Sequence, residues 1–571
     1  MNKAKELPAA ASAIPQGPVI GVFATGDPRI DADSRKRAVN IVRLSADILA
    51  DRVKLPDASP VPVVFSTMLV DGEKQADAVA AVFKAAGVNI LVCVPDTWAF
   101  PQLSLISLLA HFPSDVPFNL TCGNSGPKPG VVFTHAASGA LSQSGRLVHI
   151  NVGTWPDRGD SPAMTAATAD ELVDWAFAAV TFQGLKGRRV VIFGHDSMGM
   201  ETALGHIIPT RKHFGIEITR LDMKFLSDLL AKKAWNAKEL DDLFKWITSF
   251  RKDAVELRNE EDKERFRLCL AMYLVVRDLM KELNAVGGGF MSQLEWGSDK
   301  RGIPLPVADP MESLFNSTFD HTGRKPPLPY ATEADVQGLL TQLFFTWLSG
   351  GNPPLFMDFR KVWESWEINK LADELAVKRA GTELWAKKGL VDGDNSGSAS
   401  FDWAAKPGAS VEEIMKNVRF PLADPGYFPG MGNSAFFVSP GGIKGIAARM
   451  AYSGMNNMFS MVWDEAETVE LPEKLANAVC NTSTPTWPHT WVVPKYASMY
   501  EYKQLAPANH FHMTWNLGVK RIQYWMDLAN VLSLTPWQTR PSFIEGTDRP
   551  QPLLYLLNGG EAQTKVMRAG R

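Results

Sequence analysis

Three short apolar runs decide the fold class: VIGVFA at Val19–Ala24, VPVVFS at Val61–Ser66 and NILVCVP at Asn89–Pro95. Each has the length and the β-branched content of a buried strand. Helical periodicity fills the gaps between them, over about residues 34–53 and 75–86. Strands that alternate with helices of this size form parallel βαβ units, so the sequence predicts an α/β domain here.

The same pattern begins again further along the chain and then changes. RVVIFG at Arg189–Gly194 has the form of another buried strand ending in glycine, and helical patterns dominate over about residues 224–283. We expect the glycine run Gly287–Gly289 to cap the last of these helices, because glycine adopts the left-handed backbone of a helix end without a clash. Apolar runs at Phe459–Trp463 and Thr490–Val493 indicate a C-terminal part that contains β-strands.

Composition and charge exclude several classes of protein. A chain of 571 residues with 45% hydrophobic residues, 17 Trp and 30 Phe is globular and is long enough for several domains. Its 59 Lys and Arg against 62 Asp and Glu leave a net charge of −3, which provides no basic face for nucleic acid or for a membrane surface. Four scattered cysteines, the lack of a long uncharged apolar stretch and the lack of a signal-peptide pattern favour a protein of the reducing cytoplasm.

Two acidic residues stand where α/β proteins commonly present functional groups. Glu333 follows a predicted strand end and precedes a helix, and Asp358 lies in the apolar run LFMDF at Leu355–Phe359. The helix predicted between them is long enough to return the chain, so both carboxylates can meet at one edge of a sheet. Taken singly, each has an ordinary structural explanation: Glu333 favours a helix N-terminus, and Asp358 can pair with Arg360.

Histidines and aromatic residues add further candidates. His510 and His512 lie among apolar residues, where a histidine is more often a hydrogen-bonded core residue than a metal ligand. Two carboxylates and one imidazole nevertheless suit Mn²⁺ or Mg²⁺ and leave coordination positions open for substrate oxygens. GHDSMGM at Gly194–Met200 is interpreted as a packing turn first and a polyol-contacting loop second, and TWPHTW at Thr486–Trp491 offers aromatic planes for sugar stacking.

Together these segments resemble the L-fucose isomerase family, in the same order along nearly the whole chain. The clearest matches are LFNSTFD (314–320), ATE (331–333), FMDFR (356–360), NSGSA (395–399), TWPHTW (486–491) and ANH (508–510). The resemblance implies an aldose–ketose isomerase that interconverts L-fucose and L-fuculose, or D-arabinose and D-ribulose, through an enediol.

The resemblance also implies a cofactor, a set of site residues and an assembly. Mn²⁺ is the implied cofactor, with Mg²⁺ or Co²⁺ as substitutes, and the two carboxylates among its ligands are also the implied catalytic acid and base. The implied metal ligands are Glu333, Asp358 and His510. The implied sugar-binding residues are Gln293, Trp487 and Asn509, together with Arg29 and Trp98 from a neighbouring subunit. The family's homohexamer would therefore share its active sites between subunits.

The implied fold is α/β, with two N-terminal Rossmann-like α/β domains followed by a C-terminal domain that has a β-barrel-like core. We place a flexible tail at residues 1–17, the first domain at 18–185, the second at 186–349 and the C-terminal β-rich domain at 350–571. The metal site is expected at the interface of the second and the C-terminal domains.

Three segments depart from the family pattern, and other functions stay open. Gly432–Ser434 stands where the family usually has a tyrosine after a glycine-rich turn, Phe511 replaces the glycine after the metal histidine, and the loop Gly26–Asp31 differs. We expect all three to touch the sugar side of the pocket, so the chemistry is better supported than the substrate. An isomerase of the L-arabinose type and a metal-free sugar-binding relative without catalysis are the alternatives, and a hydride shift is the alternative route.

Overall fold

The computed structural model describes residues 17–123, 129–155, 163–195, 197–292, 305–395, 397, 399–454, 457–505 and 508–534. The chain forms two compact units. The first comprises the chain up to Leu55 with Ser59–Arg188, and the second comprises Pro56–Ala58 with the chain from Arg189 onward. The predicted tail lies outside the described residues except for Gly17, and the predicted division of residues 186–571 into two domains stays a prediction. Among the described helices, none is both long and apolar enough to cross a bilayer.

The first unit is built on a five-stranded parallel sheet. Its strands are β1 (Ile20–Phe23), β2 (Val63–Phe65), β3 (Ile90–Cys93), β4 (Phe118–Gly123) and β5 (His149–Gly153). Its helices are α1 (Ala32–Arg52), α2 (Glu73–Ala85), α3 (Ser107–Leu109), α4 (Gly130–Gln143) and α5 (Ala166–Gly184). The strand order is β2-β1-β3-β4-β5, with every neighbouring pair parallel. The three N-terminal apolar runs therefore form the strands that were predicted, β1 to β3.

The order of this sheet reverses between β1 and β3. Both strands are buried along their whole length, which explains why they appear in the sequence as continuous apolar runs. In open α/β sheets, ligands bind beyond the carboxyl ends of the strands at such a reversal. Arg29 follows β1 and Trp98 follows β3, so both lie at the edge where the fold favours a binding site.

The second unit begins with a four-stranded parallel sheet and ends in a barrel. Its first strands are β6 (Arg189–Phe193), β7 (Glu217–Leu221), β8 (Ala285–Phe290), β9 (Phe319–Asp320), β10 (Gly323–Arg324) and β11 (Tyr330–Ala331). Its helices are α6 (Ile207–Phe214), α7 (Met223–Ala231), α8 (Ala237–Ser249), α9 (Glu260–Glu282), α10 (Asp309–Asn316), α11 (Val336–Leu348), α12 (Ser365–Glu374), α13 (Leu384–Lys388), α14 (Val411–Asn417), α15 (Glu473–Thr482), α16 (Met499–Leu505) and α17 (Val519–Ala529). The parallel sheet has the order β11-β8-β6-β7, and β9 and β10 form a separate antiparallel pair.

The prediction that Gly287–Gly289 caps a helix is wrong. The helix α9 ends at Glu282, and Asn284 supplies the left-handed residue after it, with φ 51°. The glycines instead lie in β8, between β6 and β11, where a Cβ on Gly288 would come within 2.6 Å of the Tyr330 ring. Close packing across a central strand, rather than a turn, therefore accounts for these glycines.

Six strands of the second unit close into an antiparallel barrel. They are β12 (Leu355–Trp363), β13 (Leu390–Asp394), β14 (Lys444–Ser453), β15 (Met458–Thr468), β16 (His489–Pro494) and β17 (His510–Trp515). Pairing runs β14-β17-β12-β13-β16-β15, and β15 pairs back onto β14, which closes the ring. A further strand, β18 (Leu532–Leu534), joins β15 in parallel. The ring confirms the predicted α/β fold class with a β-barrel-like C-terminal core.

The helix α11 connects the parallel sheet to the barrel. All of its residues are buried, including Gln337 and Gln342, whose side-chain amides donate hydrogen bonds to other parts of the chain. It packs against β8 of the parallel sheet and against β14 and β17 of the barrel. Its N-terminal end therefore lies where the last parallel strand, β11, and the barrel strands approach each other.

Candidate active site

Glu333 lies in a tight turn between β11 and α11. Its backbone has φ 57° and ψ 21°, and Ala334 follows with φ 53°, so two residues with side chains adopt the left-handed conformation in succession. Each such residue costs on the order of 1–2 kcal/mol. Ser292 supports the turn, because its Oγ accepts a 3.1 Å hydrogen bond from the Glu333 backbone N–H and lies 3.0 Å from Thr332 Oγ1. Backbone strain at a buried acid indicates a functional position.

Asp358 and His510 are held directly opposite each other on β12 and β17. Opposed residues of an antiparallel pair point to the same face of the sheet. His510 Nε2 lies 2.9 Å from Glu333 Oε2 and 3.4 Å from Asp358 Oδ1. The side chains of Glu333 and His510 are almost fully buried, whereas that of Asp358 keeps 16% of its surface exposed. The second unit thus brings the three predicted metal ligands together.

The chemistry and spacing of these three side chains fit a divalent cation. Two carboxylates would neutralise a dication, and carboxylate oxygens with an imidazole nitrogen are a donor set that Mn²⁺ and Mg²⁺ accept. His510 Nε2 is buried and faces both carboxylates, and its lone pair becomes available to an ion once this nitrogen loses its proton. In the described part of the chain no three His, Cys, Asp or Glu side chains already form a preformed metal cluster. If such an ion binds, Glu333, Asp358 and His510 are the residues that would hold it.

The same proximity shifts the pKa values of Asp358 and His510. Burial raises the pKa of Asp358 to about 7, with His510 opposing the rise and the carboxylates of Glu333 and Asp394 adding to it. Burial lowers the pKa of His510, but the negative charges of Asp358, Asp335 and Glu333 outweigh it and raise this pKa to about 10. Without a cation, retained protons on Asp358 and His510 therefore offset the negative charge of the cluster.

Asp335 contacts the other nitrogen of the same imidazole. His510 Nδ1 lies 2.7 Å from Asp335 Oδ2, and the guanidinium of Arg449 donates to both oxygens of that carboxylate. Asp335 and Arg449 are both buried. Burial would raise the pKa of Asp335, but the charges of Arg449 and His510 hold it well below its usual value. Asp335 is therefore an ionised carboxylate behind the imidazole.

Asp394 continues the row of polar side chains across the barrel. It lies opposite Asp358 on one side and opposite His489 on the other. Its Oδ2 accepts a hydrogen bond from the Thr484 hydroxyl, while its buried Oδ1 has no hydrogen-bond partner among the described residues. Burial raises the pKa of Asp394. With Asp335, the candidate site thus contains two more acids than the sequence predicted.

Two asparagines orient the Asp358 carboxylate. Asn395 Nδ2 donates to Asp358 Oδ2 at 3.0 Å, and Asn509 Nδ2 lies 3.3 Å from Asp358 Oδ1. The exposed Asn509, a predicted sugar-binding residue, also lies 3.4 Å from the Met200 sulfur. The segment Gly194–Met200, interpreted above as a packing turn or a polyol loop, therefore reaches the candidate site through Met200.

Trp487 lies further from the three ligands, in an aromatic cluster. It is 1% exposed, and its ring centroid is 5.0 Å from that of Tyr427 and 5.5 Å from the guanidinium carbon of Arg360. Arg360 is the extra residue of a β-bulge in β12, and bulges commonly re-aim a side chain. Its Nη2 donates to Tyr427 Oη at 3.1 Å, and its Nε lies 3.8 Å from Asp394 Oδ1. Arg360 thus links the Trp487 cluster to the acids of the site.

The other predicted sugar-binding residues are Arg29 and Trp98, which belong to the first unit, and Gln293. In the first unit, Arg29 pairs with Asp27 and its guanidinium carbon lies 5.4 Å from the Phe100 ring centroid. Trp98, also in the first unit, packs edge-on against Phe133. Gln293 lies outside the described residues. Their roles in sugar binding stay predictions.

Two other histidines have structural partners, and one departure from the family pattern faces away from the site. His512 Nε2 lies 3.5 Å from Arg449 Nη1, and burial together with that cation holds the pKa of His512 well below its usual value. His489 lies between the Asp392 carboxylate and the Thr484 carbonyl.

Phe511, one residue along β17 from His510, points to the opposite face and packs against other aromatic rings there. The expectation that Phe511 touches the sugar side of the pocket is therefore wrong.

Asp335 and Asp394 are site residues that the sequence analysis did not single out. Asp335 accepts from the Gly338 N–H at the start of α11, and an acid at a helix start is too common to stand out. Asp392 and Asp394 alternate in the buried strand LVDGD at Leu390–Asp394. Two acids on one face of a buried strand are a detectable signal, because unpaired charges are rarely buried.

Comparison with known proteins gives consistent matches over most of the chain. Residues 17–187 match the family model for the first N-terminal domain of L-fucose isomerase, and residues 189–350 match that for the second N-terminal domain. L-fucose isomerase of Haemophilus influenzae (strain PittEE) is 25% identical over 540 residues, which cover 86% of this chain and 88% of that protein. L-fucose isomerase of Streptococcus pneumoniae (strain P1031) is 24% identical over 548 residues, which cover 88% and 90%.

Proposed function

Because this chain belongs to the L-fucose isomerase family, we propose that it isomerises L-fucose to L-fuculose, and D-arabinose to D-ribulose, through an enediol. We further propose that it does so with Mn²⁺, for which Mg²⁺ or Co²⁺ can substitute, held by Glu333, Asp358 and His510. One observation carries the proposal: the buried His510 Nε2 lies 2.9 Å from Glu333 Oε2 and 3.4 Å from Asp358 Oδ1.

The isomerisation moves one proton from C2 to C1 and another from O2 to O1. When bound, a dication withdraws electrons from the two sugar oxygens and so makes the C2–H bond more acidic. Of Glu333 and Asp358, one takes the proton from C2 and returns it to C1, and the other exchanges the proton of the hydroxyl groups. Asn395 and Asn509 keep the Asp358 carboxylate in a single orientation for this exchange.

A panel of aldoses tests the proposal. We expect ketose formation from L-fucose and D-arabinose with Mn²⁺ and loss of product with a chelator, measured colorimetrically. Glu333→Gln and Asp358→Asn are expected to lower kcat by at least about 100-fold. Glu465→Gln is the matched control, because Glu465 also lies on the barrel but pairs with Lys495 at the surface. Near-wild-type turnover in either site variant would contradict the assignment.

The same panel decides between the alternatives. An isomerase of the L-arabinose type would prefer L-arabinose to L-fucose. A metal-free sugar-binding relative would form no ketose from any aldose, and the purified protein would contain no stoichiometric divalent metal. Either result would replace the proposed function.

Isotope transfer tests the route. The enediol route exposes the migrating proton to solvent on the base, so turnover in D₂O should place deuterium on C1 of the ketose. A hydride shift between C2 and C1 needs no such base and would leave carbon-bound deuterium absent. We expect incorporation, detected by mass spectrometry of the product.

We also propose that the protein acts in the cytoplasm as a homohexamer, with Arg29 and Trp98 serving the active site of a neighbouring subunit. Family membership supports this assembly, and the four buried, unpaired cysteines suit a reducing compartment. Light scattering should give about six times the chain mass of 62.8 kDa. Mixing an Arg29→Ala chain with a Glu333→Gln chain should restore part of the activity if sites are shared.

A further inference from the structure

The buried carboxylate of Asp335 holds the imidazole of His510 from behind. Its Oδ2 lies 2.7 Å from His510 Nδ1, on the side of the ring opposite to the Nε2 that faces Glu333 and Asp358. A carboxylate at this distance accepts a hydrogen bond from the Nδ1–H group. It therefore selects the form of the ring in which Nε2 can give up its proton and bind an ion.

The carboxylate itself is fixed by three N–H donors from two residues. Arg449 donates to both of its oxygens, and the Gly338 backbone N–H donates to Oδ1 at 2.9 Å. Arg449 is fixed in turn, because its Nη2 donates to the Thr202 carbonyl at 2.9 Å. With Asp335 fully buried and Arg449 almost so, neither side chain can turn toward solvent.

Capping α11 explains only part of this arrangement. An uncharged asparagine or serine caps a helix as well as aspartate does, and burying a carboxylate with its counter-ion is expensive in desolvation. A helix cap alone requires neither a buried arginine nor a short contact to the imidazole. The negative charge of Asp335 is better explained by its contact with His510, because a carboxylate is a stronger hydrogen-bond acceptor for Nδ1–H than a neutral side chain is.

We propose that Asp335, supported by Arg449, is a positioning residue that sets the orientation and the tautomer of His510 for binding a divalent cation. The proposal rests on the function proposed above. Asp335 touches neither sugar nor ion; it acts through the imidazole. In metal sites of this kind, a carboxylate behind the ligating histidine is worth about 10- to 100-fold in metal affinity.

Mn²⁺ binding to the metal-free full-length protein, measured by isothermal titration calorimetry, tests the proposal. Asp335→Asn is expected to weaken Mn²⁺ binding by about 10- to 100-fold. Because this variant leaves the charge of Arg449 buried and unpaired, it can also fail to fold. The double variant Asp335→Asn with Arg449→Met removes both charges, keeps a helix cap, and is expected to show the same loss of affinity.

Asp262→Asn is the matched control. Asp262 is also a buried acid near the start of a helix, α9, and it pairs with an arginine, Arg258, but it contacts no predicted ligand. We expect it to bind Mn²⁺ as tightly as the wild type, even where its thermal midpoint falls as far as that of the Asp335 variants. A drop in affinity without a matching drop in thermal midpoint separates positioning from a general loss of structure.

The outcomes separate the positioning role from the function on which it rests. If the wild type binds one Mn²⁺ per chain and a folded Asp335 variant binds it equally well, the positioning role is overturned and the proposed function stands. If the wild type binds no Mn²⁺, Mg²⁺ or Co²⁺, the metal-dependent function is overturned and the positioning role with it. Weakened binding in both Asp335 variants and unchanged binding in Asp262→Asn support the proposal.

Discussion

Binding of a divalent cation to this protein should release protons, in a number that depends on pH. In the absence of an ion, the pKa of His510 is raised to about 10 and that of Asp358 to about 7. An imidazole or carboxylate must lose its proton before it can ligate a metal. At pH 6 both groups are protonated and binding should release about two protons, whereas at pH 8 only His510 is protonated and binding should release about one.

The sign and size of the pH effect on affinity follow from this count. Protons compete with the ion, so affinity rises with pH, by about tenfold per pH unit for each proton released. With the count falling from about two to about one, the Mn²⁺ dissociation constant should tighten on the order of a thousandfold between pH 6 and pH 8.

Calorimetry in buffers of different ionisation enthalpy measures the proton count directly. The observed binding enthalpy should vary linearly with the ionisation enthalpy of the buffer, with a slope equal to the number of protons released. Asp358→Asn should lower the number of protons released at pH 6, because it removes one of the two groups that are protonated there. An equal count at both pH values, or a count of zero, would refute the charge assignment of the site.

Two further predictions concern stability. Phe511→Ala should lower the free energy of unfolding by about 3–5 kcal/mol, because this ring is 2% exposed and its centroid lies 4.7 Å from that of Phe359. The affinity for Mn²⁺ should not change. A loss of less than about 1 kcal/mol, measured by urea denaturation, would contradict this packing. Asp309 is fully buried, and burial raises its pKa from 3.8 to about 7. Between these two pH values the folded state keeps a proton that the unfolded state loses. The free energy of unfolding should therefore fall by on the order of 4 kcal/mol as pH rises from about 4 to about 7. Asp309→Asn should remove that fall. If the unfolding free energy changes by the same amount between pH 5 and pH 8 in the variant and in the wild type, Asp309 does not titrate in this way.

The predictable part of the fold is the part in which strands are buried on both faces. Strands β1 and β3 are buried along their whole length, and β6 is buried after its exposed first residue, Arg189, so composition alone marks them. Closure of the barrel depends on β14 meeting β15 and β17, and the last of these partners is distant in sequence. Periodicity carries no record of such pairing, so the barrel was expected only through resemblance. The glycines of β8 misled the prediction because Tyr330, which restricts the space there, belongs to another strand.

The candidate site divides in the same way. Glu333, Asp358 and His510 were proposed as a set through resemblance, since each alone has an ordinary structural explanation. Asp335 was missed because a helix-capping acid gives no separate signal. Its contact with His510 spans 175 positions of the chain, and only the folded barrel brings the two residues together. Charge pairing at that separation cannot be read from local sequence.

The left-handed backbone at Glu333 and Ala334 lowers the stability of the fold at the position where the proposed catalytic acid lies. Glycine adopts this conformation without a steric penalty, so it would hold the turn with less strain at either position. A library of variants sorted only for heat resistance should therefore drift toward glycine at both sites. If Glu333 has the proposed catalytic role, glycine at 334 would leave the enzyme active, whereas glycine at 333 would give a more stable protein without isomerase activity.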